Sequence, residues 1–170
     1  MGNTIRFCKV RDVKDPQRAH PTDAGIDFFV PRFTSDADIT VYPSAGIRLD
    51  WNVDVLRKIV ILPGASVLVP LGVKVRVPEG YAMIFFNKSG VAAKKSLVLG
   101  SCVVDQDYQG ELILNLHNIS NDWVEIVPGE KIVQGILLEV NHAVPEAVNT
   151  VGELYPEKTD RGEGGFGSTN

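Results

Sequence analysis

The sequence predicts an all-β domain, built as a sandwich, a jelly roll or a barrel. Short runs rich in β-branched and aromatic residues are separated by glycine and proline turns along most of the chain. These runs recur about every eight to twelve residues, a spacing typical of sheets that pack on each other or close into a barrel. The sequence contains no internal repeat and no helix-rich second domain.

Nine strands are predicted from this pattern. They cover residues 4–10, 26–30, 66–69, 73–77, 81–86, 97–99, 111–117, 123–126 and 131–140. Turn-forming residues at 62–64, 78–80, 121–122 and 128–130 separate several of them. Residues 53–58 are long enough for only one or two helical turns.

Two segments differ from this pattern. Residues 32–58 mix polar and apolar positions without clear periodicity, and we expect them to be an insertion that lies apart from the core. Residues 157–170 are polar and include four glycines, a composition that buries too little apolar area to order itself. We therefore predict one domain over residues 1–156 and a flexible C-terminal arm over residues 157–170.

Length and composition restrict the class of protein. The chain has 170 residues, enough for one domain with a real core, and 44% of them are hydrophobic. A net charge of −4 argues against a nucleic-acid groove, although a small anionic ligand needs only a few local donors. No apolar run is long enough for a membrane span, and no signal sequence is visible. Two distant cysteines indicate neither a disulfide framework nor a metal site, so a cytoplasmic protein is expected.

The C-terminal arm carries the most distinctive motif. Residues 161–170 read Arg-Gly-Glu-Gly-Gly-Phe-Gly-Ser-Thr-Asn. Glycines let backbone N–H groups approach a phosphate closely, and the fork of Arg161 suits phosphate oxygens. Phe166 has no core to join and is available to stack on a base. By composition alone, a terminus without function explains the segment as well.

A second candidate lies at the end of the predicted strand 81–86. Lys88, Ser89 and Gly90 combine an ammonium, a hydroxyl and a small residue in three consecutive positions. Such a group suits phosphate. An ordinary strand-to-loop turn has the same composition, so the tripeptide decides nothing by itself.

A third candidate is the segment 103–110. Asp105 follows two valines, which should anchor its carboxylate at the edge of the core, where it can orient and deprotonate a water. Tyr108 lies three residues on, across an expected tight turn, and offers a flat apolar face. A β-turn with a locally bonded aspartate is the alternative explanation.

Two weaker signals complete the set. Asp23 and Asp27 are four residues apart around an Ala-Gly pair, and two acids near a triphosphate can hold magnesium. Gln134 is a lone amide in the strand that follows the turn at 128–130. For Asp23 and Asp27, the alternative explanation is the start of a strand that carries surface acids. For Gln134, it is a strand with a purely structural role.

In chain order, the five segments resemble the five motifs of the trimeric dUTPase family. Residues 23–28, 88–90, 103–110, 129–134 and 161–169 are similar to motifs one to five. One such match is weak, whereas five in the right order are specific. The resemblance implies a dUTPase-type jelly roll or distorted β-barrel that forms a homotrimer with active sites between subunits. It also implies Mg²⁺-dependent hydrolysis of dUTP to dUMP and pyrophosphate, which limits uracil in DNA and supplies dUMP for dTMP synthesis.

The resemblance also implies a role for each residue. Asp105 would be the general base for the water that attacks the α-phosphorus, and Asp27 would contact Mg²⁺ only through water. A hairpin at residues 100–104 would read uracil, and the arm would close over the nucleotide. The implied substrate-binding residues are Lys88, Ser89, Gly90, Ser101, Val103, Val104, Tyr108, Ile113, Gln134, Arg161, Phe166, Gly167, Ser168 and Thr169.

The chain departs from the family pattern in three places. Lys88 stands where arginine is usual, which keeps the charge but loses the fork. Ser101 stands where asparagine is common, and the segment between motifs two and three is shorter than in many relatives. Residues 32–58 look inserted, as in some phage-encoded relatives, which makes host-cell cytoplasm the expected location for a phage product. The insertion is available to contact an unknown protein partner.

Two other functions remain open at this point. A dCTP deaminase shares the fold and a similar nucleotide, but it needs its catalytic carboxylate elsewhere, and the arm and Asp105 favour a pyrophosphatase. A non-catalytic nucleotide sensor or protein-binding regulator is the second alternative, which the insertion keeps open as an additional role.

Overall fold

A computed structural model of the chain describes residues 4–33, 40–42, 47–50 and 58–164. Within these residues the chain forms thirteen strands and two short helices. In order they are β1 Arg6–Lys9, β2 Ile26–Phe29, β3 Thr40–Tyr42, β4 Ile47–Asp50, β5 Lys58–Ile61, β6 Ser66–Pro70, β7 Val73–Arg76, β8 Tyr81–Asn87, α1 Ser89–Lys95, β9 Leu97–Ser101, β10 Val103–Val104, β11 Ile113–Asn118, β12 Val124–Ile126, β13 Lys131–Glu139 and α2 Val151–Leu154.

The strands form four antiparallel sheets. Their orders are β1-β7, β10-β8-β13-β2, β3-β6-β11-β9 and β12-β5-β4. β8 and β13 form the longest described ladder, from Val133 opposite Asn87 to Glu139 opposite Tyr81. The all-β prediction is confirmed, and each of the nine predicted strands corresponds to a strand within a few residues of its expected bounds.

The core follows from the period-two pattern of the strands. In β11, Leu114 and Leu116 are buried, while Ile113, Asn115 and His117 alternate with them on the other face. β2 is buried along its whole length, so it reads as a continuous apolar run apart from Asp27. The rings of Phe28 and Phe85 meet edge to face at 5.2 Å between β2 and β8. These contacts hold the sheet that carries most of the candidate site residues.

The expectation that residues 32–58 lie apart from the core is wrong for their described parts. Phe33 is buried in the core, β3 pairs with β6, and β4 pairs with β5. Strands of three or four residues give too short a run for periodicity to reveal, and sheet pairing decides their conformation. Residues 53–57, where helical turns were considered, lie outside the described residues, and residue 58 begins β5. That residues 32–58 are an insertion, with or without a partner, stays a prediction.

Helix α1 was not predicted from the sequence, which offered only a strand-to-loop turn for residues 88–90. Its sequence Ser-Gly-Val-Ala-Ala-Lys-Lys has two good helix-forming alanines, and Lys94 and Lys95 lie in its last turn, where they favour the helix dipole. The helix ends at Ser96, which adopts a left-handed conformation with φ of 51° and donates its N–H to the carbonyl of Ala92. The seven residues before the cap form only about two helical turns, which is too short to predict from the sequence.

The chain divides into two compact units, Met1–Val140 and Asn141–Asn170. The second unit contains α2, whose first turn is capped by the Thr150 side chain accepting from the Glu153 N–H. The predicted domain boundary after residue 156 and the mobility of the arm stay predictions. In the described ranges, no helix has both the length and the apolar character that a membrane crossing requires.

Candidate nucleotide-binding site

The sheet β10-β8-β13-β2 brings three of the five motif segments together at one end. Gln134 of β13 lies opposite Asp27 of β2, and Val133 lies opposite Asn87 at the end of β8. Lys88 follows directly as the N-cap residue of α1. Residues far apart in the sequence therefore meet because antiparallel pairing fixes their register.

Asp27 is the buried centre of this end of the sheet. It is 2% exposed, its Oδ1 contacts the Lys88 ammonium, and its Oδ2 lies 2.9 Å from Lys131 Nζ. We call Asp27, Lys88 and Lys131 the lysine cluster. Burial raises the pKa of Asp27, but the two ammonium groups outweigh burial and leave its pKa below the usual value. The carboxylate is therefore ionised at neutral pH, and it holds both lysines in place.

Gln134 is held beside the lysine cluster. Its Nε2 donates to the Asn87 carbonyl oxygen at 3.1 Å. A Cβ added at Gly25 would lie 2.3 Å from Gln134 Oε1. The side-chain amide of Gln134 therefore packs against Gly25 in space that any larger residue would fill. The glycine in the first motif segment therefore has a packing role that the sequence did not reveal.

Helix α1 is anchored at its far end to the β12–β13 turn. Lys95 Nζ lies 2.5 Å from Glu130 Oε1 and donates to the Glu125 carbonyl oxygen at 2.6 Å. Ser89 and Gly90 are exposed in the first turn of the helix, and a Cβ at Gly90 would meet no atom within 4 Å. Gly90 thus leaves open space beside Ser89.

Asp105 stands at the other end of β8, directly after β10, and it is exposed. The Tyr108 N–H donates to the Asp105 carbonyl oxygen at 3.3 Å and closes a turn. The neighbouring Gln106 turns its side chain back, and its Oε1 accepts the Gly80 N–H at 2.8 Å. This hydrogen bond fastens the Asp105 turn, residues 105–108, to the β7–β8 turn. The sequence gave no signal for it, because Gln106 and Gly80 meet only in the fold.

Tyr108 is fixed by the residues that follow it. Its hydroxyl donates to the Glu111 carbonyl oxygen at 2.9 Å, and its ring lies so close to Gly110 that an added Cβ would be 2.2 Å from the hydroxyl oxygen. The Glu111 side chain is itself held by Arg11, with Nε to Oε1 at 2.6 Å, and by the Gly72 N–H at 2.9 Å. The ring remains about half exposed and presents a face to solvent.

Residues 100–104 do not form the expected hairpin. β9 pairs with β11 and β10 pairs with β8, so the segment crosses from one sheet to another. Cys102 lies between the two strands, and its carbonyl oxygen accepts the Phe85 N–H at 2.7 Å. The segment is too short to form a hairpin, because its first part pairs with β11 and its last part pairs with β8. The predicted role of the segment in reading uracil stays a prediction.

The other predicted residues have mixed surroundings. Ser101, Val103 and Ile113 are exposed and available to a ligand, whereas Val104 is buried in the core. Asp23 accepts the His20 N–H at 3.0 Å in a local turn, which explains it structurally.

In the second unit, exposed Arg161 donates from Nε to the Gly164 carbonyl oxygen at 3.1 Å. Phe166, Gly167, Ser168 and Thr169 lie outside the described residues.

Asp105 and Lys88 of one chain lie at opposite ends of β8. Val103 pairs with Ile84 and Val104 with Met83, so the next position, Asp105, falls beside Ala82. Lys88 follows Asn87, the last residue of β8, six residues after Ala82. At about 3.3 Å per residue, these two ends of β8 are about 20 Å apart.

The described residues do not form a metal site by themselves, so magnesium would have to arrive already bound to a ligand. Among residues 4–33, 40–42, 47–50 and 58–164, no three His, Cys, Asp or Glu side chains are grouped to hold a metal. Asp27 Oδ2 is buried and receives no aligned hydrogen bond, although Lys131 Nζ lies 2.9 Å from it. The predicted contact of Asp27 with magnesium through water stays a prediction.

Comparison with known proteins identifies the family. The family model for dUTPase matches residues 44–170. A deoxyuridine 5'-triphosphate nucleotidohydrolase of Corynebacterium jeikeium is 36% identical over 157 residues, which cover 91% of this chain and 84% of the relative. The enzyme of the same name from Thiobacillus denitrificans is 39% identical over 129 residues, covering 74% of this chain and 84% of the relative.

Solved structures show the same fold. A mutant dUTPase of Staphylococcus bacteriophage 80alpha with dUpNHpp bound has a TM-score of 0.72 at 22% identity and covers 99% of both chains. A mutant dUTPase of phage phi11, described with a structural Mg(II) ion, has a TM-score of 0.66 at 20% identity and covers 88% of this chain and 99% of its own. These similarities confirm the jelly-roll prediction and its phage-type character at the level of the fold. Together with the family match, they show that this chain belongs to the dUTPase family.

Proposed function

We propose that the chain hydrolyses dUTP to dUMP and pyrophosphate. The family supports a dUTP-hydrolysing enzyme, and the observation that carries the mechanism is the fixed position of Asp105 at the edge of a turn fastened to β8 by Gln106. An exposed carboxylate so placed is available to take a proton from water. Hydrolysis of this kind limits uracil in DNA and supplies dUMP.

The Asp105 carboxylate orients a water and accepts its proton as the oxygen attacks the α-phosphorus. The bond from this phosphorus to the bridging oxygen breaks, and pyrophosphate leaves. The half-exposed ring of Tyr108 packs on the deoxyribose, where it leaves no room for a ribose 2′-hydroxyl. Exposed Ser101, Val103 and Ile113 contact the nucleoside, and buried Val104 supports them from the core.

The phosphates bind at the opposite end of β8, contributed by another copy of the chain. Lys88, Ser89, Gly90 and Gln134 supply charge and hydrogen-bond donors there. Magnesium would neutralise charge on the phosphates, and Asp27 would contact it only through water. Arg161 with Phe166, Gly167, Ser168 and Thr169 closes over the nucleotide, and closure strengthens each contact by excluding bulk water.

The assembly is a homotrimer with active sites between subunits. The support for this proposal is the separation of about 20 Å between the two ends of β8, which one dUTP cannot bridge while its α-phosphate meets Asp105. If Asp105 of one chain works with Lys88 of its neighbour, a closed symmetric ring completes every site.

The first experiment measures magnesium-dependent pyrophosphate release from dUTP, with dCTP, dTTP and UTP assayed beside it. We expect rapid release from dUTP alone. Release of ammonia from dCTP would identify a deaminase instead, and binding of dUTP without any turnover would favour a nucleotide sensor.

A second experiment tests the shared site. Asp105→Asn and Lys88→Ala proteins, each of low activity, are mixed in equal amounts, unfolded and refolded together. If a site takes Asp105 and Lys88 from two chains, about one quarter of the sites in random trimers regain both groups, so activity returns. If one chain supplies both groups, every site keeps a defect, and the mixture stays as inactive as its parents.

A further inference from the structure

The sheet of β1 and β7 carries positive charge on one exposed face. Arg6 lies directly opposite Arg76, and two residues along each strand Cys8 lies opposite Lys74. Directly opposed residues in an antiparallel pair project to the same face. Arg6, Lys74 and Arg76 are all exposed. Val73 and Val75, which alternate with Lys74 and Arg76 along β7, are buried. We call these three cations the arginine face.

The arginine face lacks carboxylate partners. In the part of the chain that the structure describes, none of its three cations makes an ion pair, whereas neighbouring Lys9 pairs with Asp15 at 2.8 Å. Like charges directly opposite each other in a sheet are destabilising. The arrangement is therefore unfavourable until an anion lies between the two guanidinium groups.

A groove lies along this face. It has a volume of about 310 Å³, which is at the lower end of the range for small-molecule sites. It is lined by the three cations together with Phe7, Cys8, Val75, Tyr108 and Gln109. Among the residues that the structure describes, no acidic side chain lines the groove. Its far wall is the Asp105 turn, since Tyr108 closes that turn and Gln109 follows it.

The spacing of the cations indicates the kind of anion. Neighbouring strands are about 4.8 Å apart, and two residues along one strand span about 6.6 Å, so the three cations extend from backbone positions within about 8 Å of one another, which long side chains can close around a diphosphate. Guanidinium forks bind phosphate oxygens in pairs. A chain with net charge −4 and one short basic face suits a small anion better than a long polyanion.

We propose that the groove between the arginine face and Tyr108 is a second anion site that binds pyrophosphate or a similar small polyphosphate. It is separate from the lysine cluster, which lies at the other end of β8. Because Tyr108 forms one wall, an anion in the groove presses on the same ring that the nucleotide uses. The inference does not depend on dUTP hydrolysis, since it follows from the charges and the groove alone.

The test is titration calorimetry of inorganic pyrophosphate into the full-length protein at fixed ionic strength. The protein is first saturated with dUpNHpp, and saturation is verified separately, so that the predicted nucleotide site is filled. We expect one pyrophosphate per chain. The Arg6→Gln/Arg76→Gln variant should bind it at least about ten-fold more weakly, because both forks are lost.

The matched control is Lys9→Gln/Arg32→Gln, which removes the same charge from two exposed, ion-paired positions. It should change the affinity by less than about two-fold, since both cations are already paired with carboxylates and neither of them lines the groove. Equal weakening in both variants, or no binding to the unaltered protein, would overturn the proposal.

Thermal melting gives an independent measurement. With the predicted nucleotide site saturated by dUpNHpp, pyrophosphate should raise the melting temperature of the unaltered protein but not of Arg6→Gln/Arg76→Gln, because a ligand stabilises only the state that binds it. Without anion, that variant should melt at or above the unaltered protein, since the opposed charges are gone. A much lower melting temperature would instead assign the two arginines a structural role and overturn the inference.

Discussion

The lysine cluster and the Asp105 turn lie at opposite ends of β8, and they differ in how many of their polar groups already have partners. Asp27 is buried and contacts two ammonium groups. Asp105 is exposed, and in the described part of the chain its carboxylate makes no hydrogen bond or ion pair. The first end is organised before any ligand arrives, whereas the second presents a free carboxylate on an anchored backbone. This is the division expected if one end holds phosphates and the other end activates water.

Removing the Asp105 carboxylate should have the largest effect. We expect Asp105→Asn to lower kcat by about 10²–10⁴-fold, the range for loss of a positioned general base, while dUpNHpp still binds. Steady-state turnover and calorimetry measure the two quantities. Asp107→Asn, an exposed carboxylate in the same turn, is the matched control and should keep most activity. Near-normal turnover of Asp105→Asn would remove Asp105 from the mechanism.

Asp27→Asn should damage the organised end in both stability and activity. It leaves two ammonium groups without their anion, so we expect a loss of about 1–3 kcal/mol in the free energy of unfolding at pH 7. Lys88 would also lose its fixed position, which should lower kcat/KM by roughly ten-fold. Urea unfolding and steady-state kinetics measure the two effects. The control Asp12→Asn removes an exposed partner of Arg32 and should change little.

The stability effect of Asp27 should depend on pH with a definite sign. The folded pKa of Asp27 is lowered, so its contribution is complete above the unfolded value of about 3.9 and is lost as pH falls through the folded pKa. The difference in unfolding free energy between the unaltered protein and Asp27→Asn should therefore be constant near neutrality and narrow below about pH 4. A difference that widened on acidification would contradict the assigned charge state.

Gln106→Ala should have a smaller effect, confined to the Asp105 turn. Loss of the hydrogen bond from the Gly80 N–H should loosen the turn and lower kcat roughly ten-fold, with little change in KM. Gln106→Glu keeps an acceptor and should restore most of the rate. Failure of this rescue, or a change in KM alone, would show that Gln106 does not position the base.

Asp105 and Lys88 were predictable from the sequence because each combines unusual chemistry with a strand end. Asp105 follows two valines, and Lys88 follows a strongly apolar strand, so both positions were expected at the edge of the core. The strands β3 and β4 were missed because three or four residues carry no measurable period. Helix α1 was missed because its two short turns depend on the Ser96 cap and on the contact of Lys95 with Glu130.

The sequence alone determined the all-β class, the motif order and the family resemblance, because alternation and turn residues are local properties. Only the tertiary structure decided that Lys131 joins Lys88 on Asp27, that Gln106 holds the Asp105 turn, and that residues 100–104 cross between sheets. It also decided that Arg6 opposes Arg76. Each of these depends on strand register, and register is fixed by which faces of distant strands can be buried together.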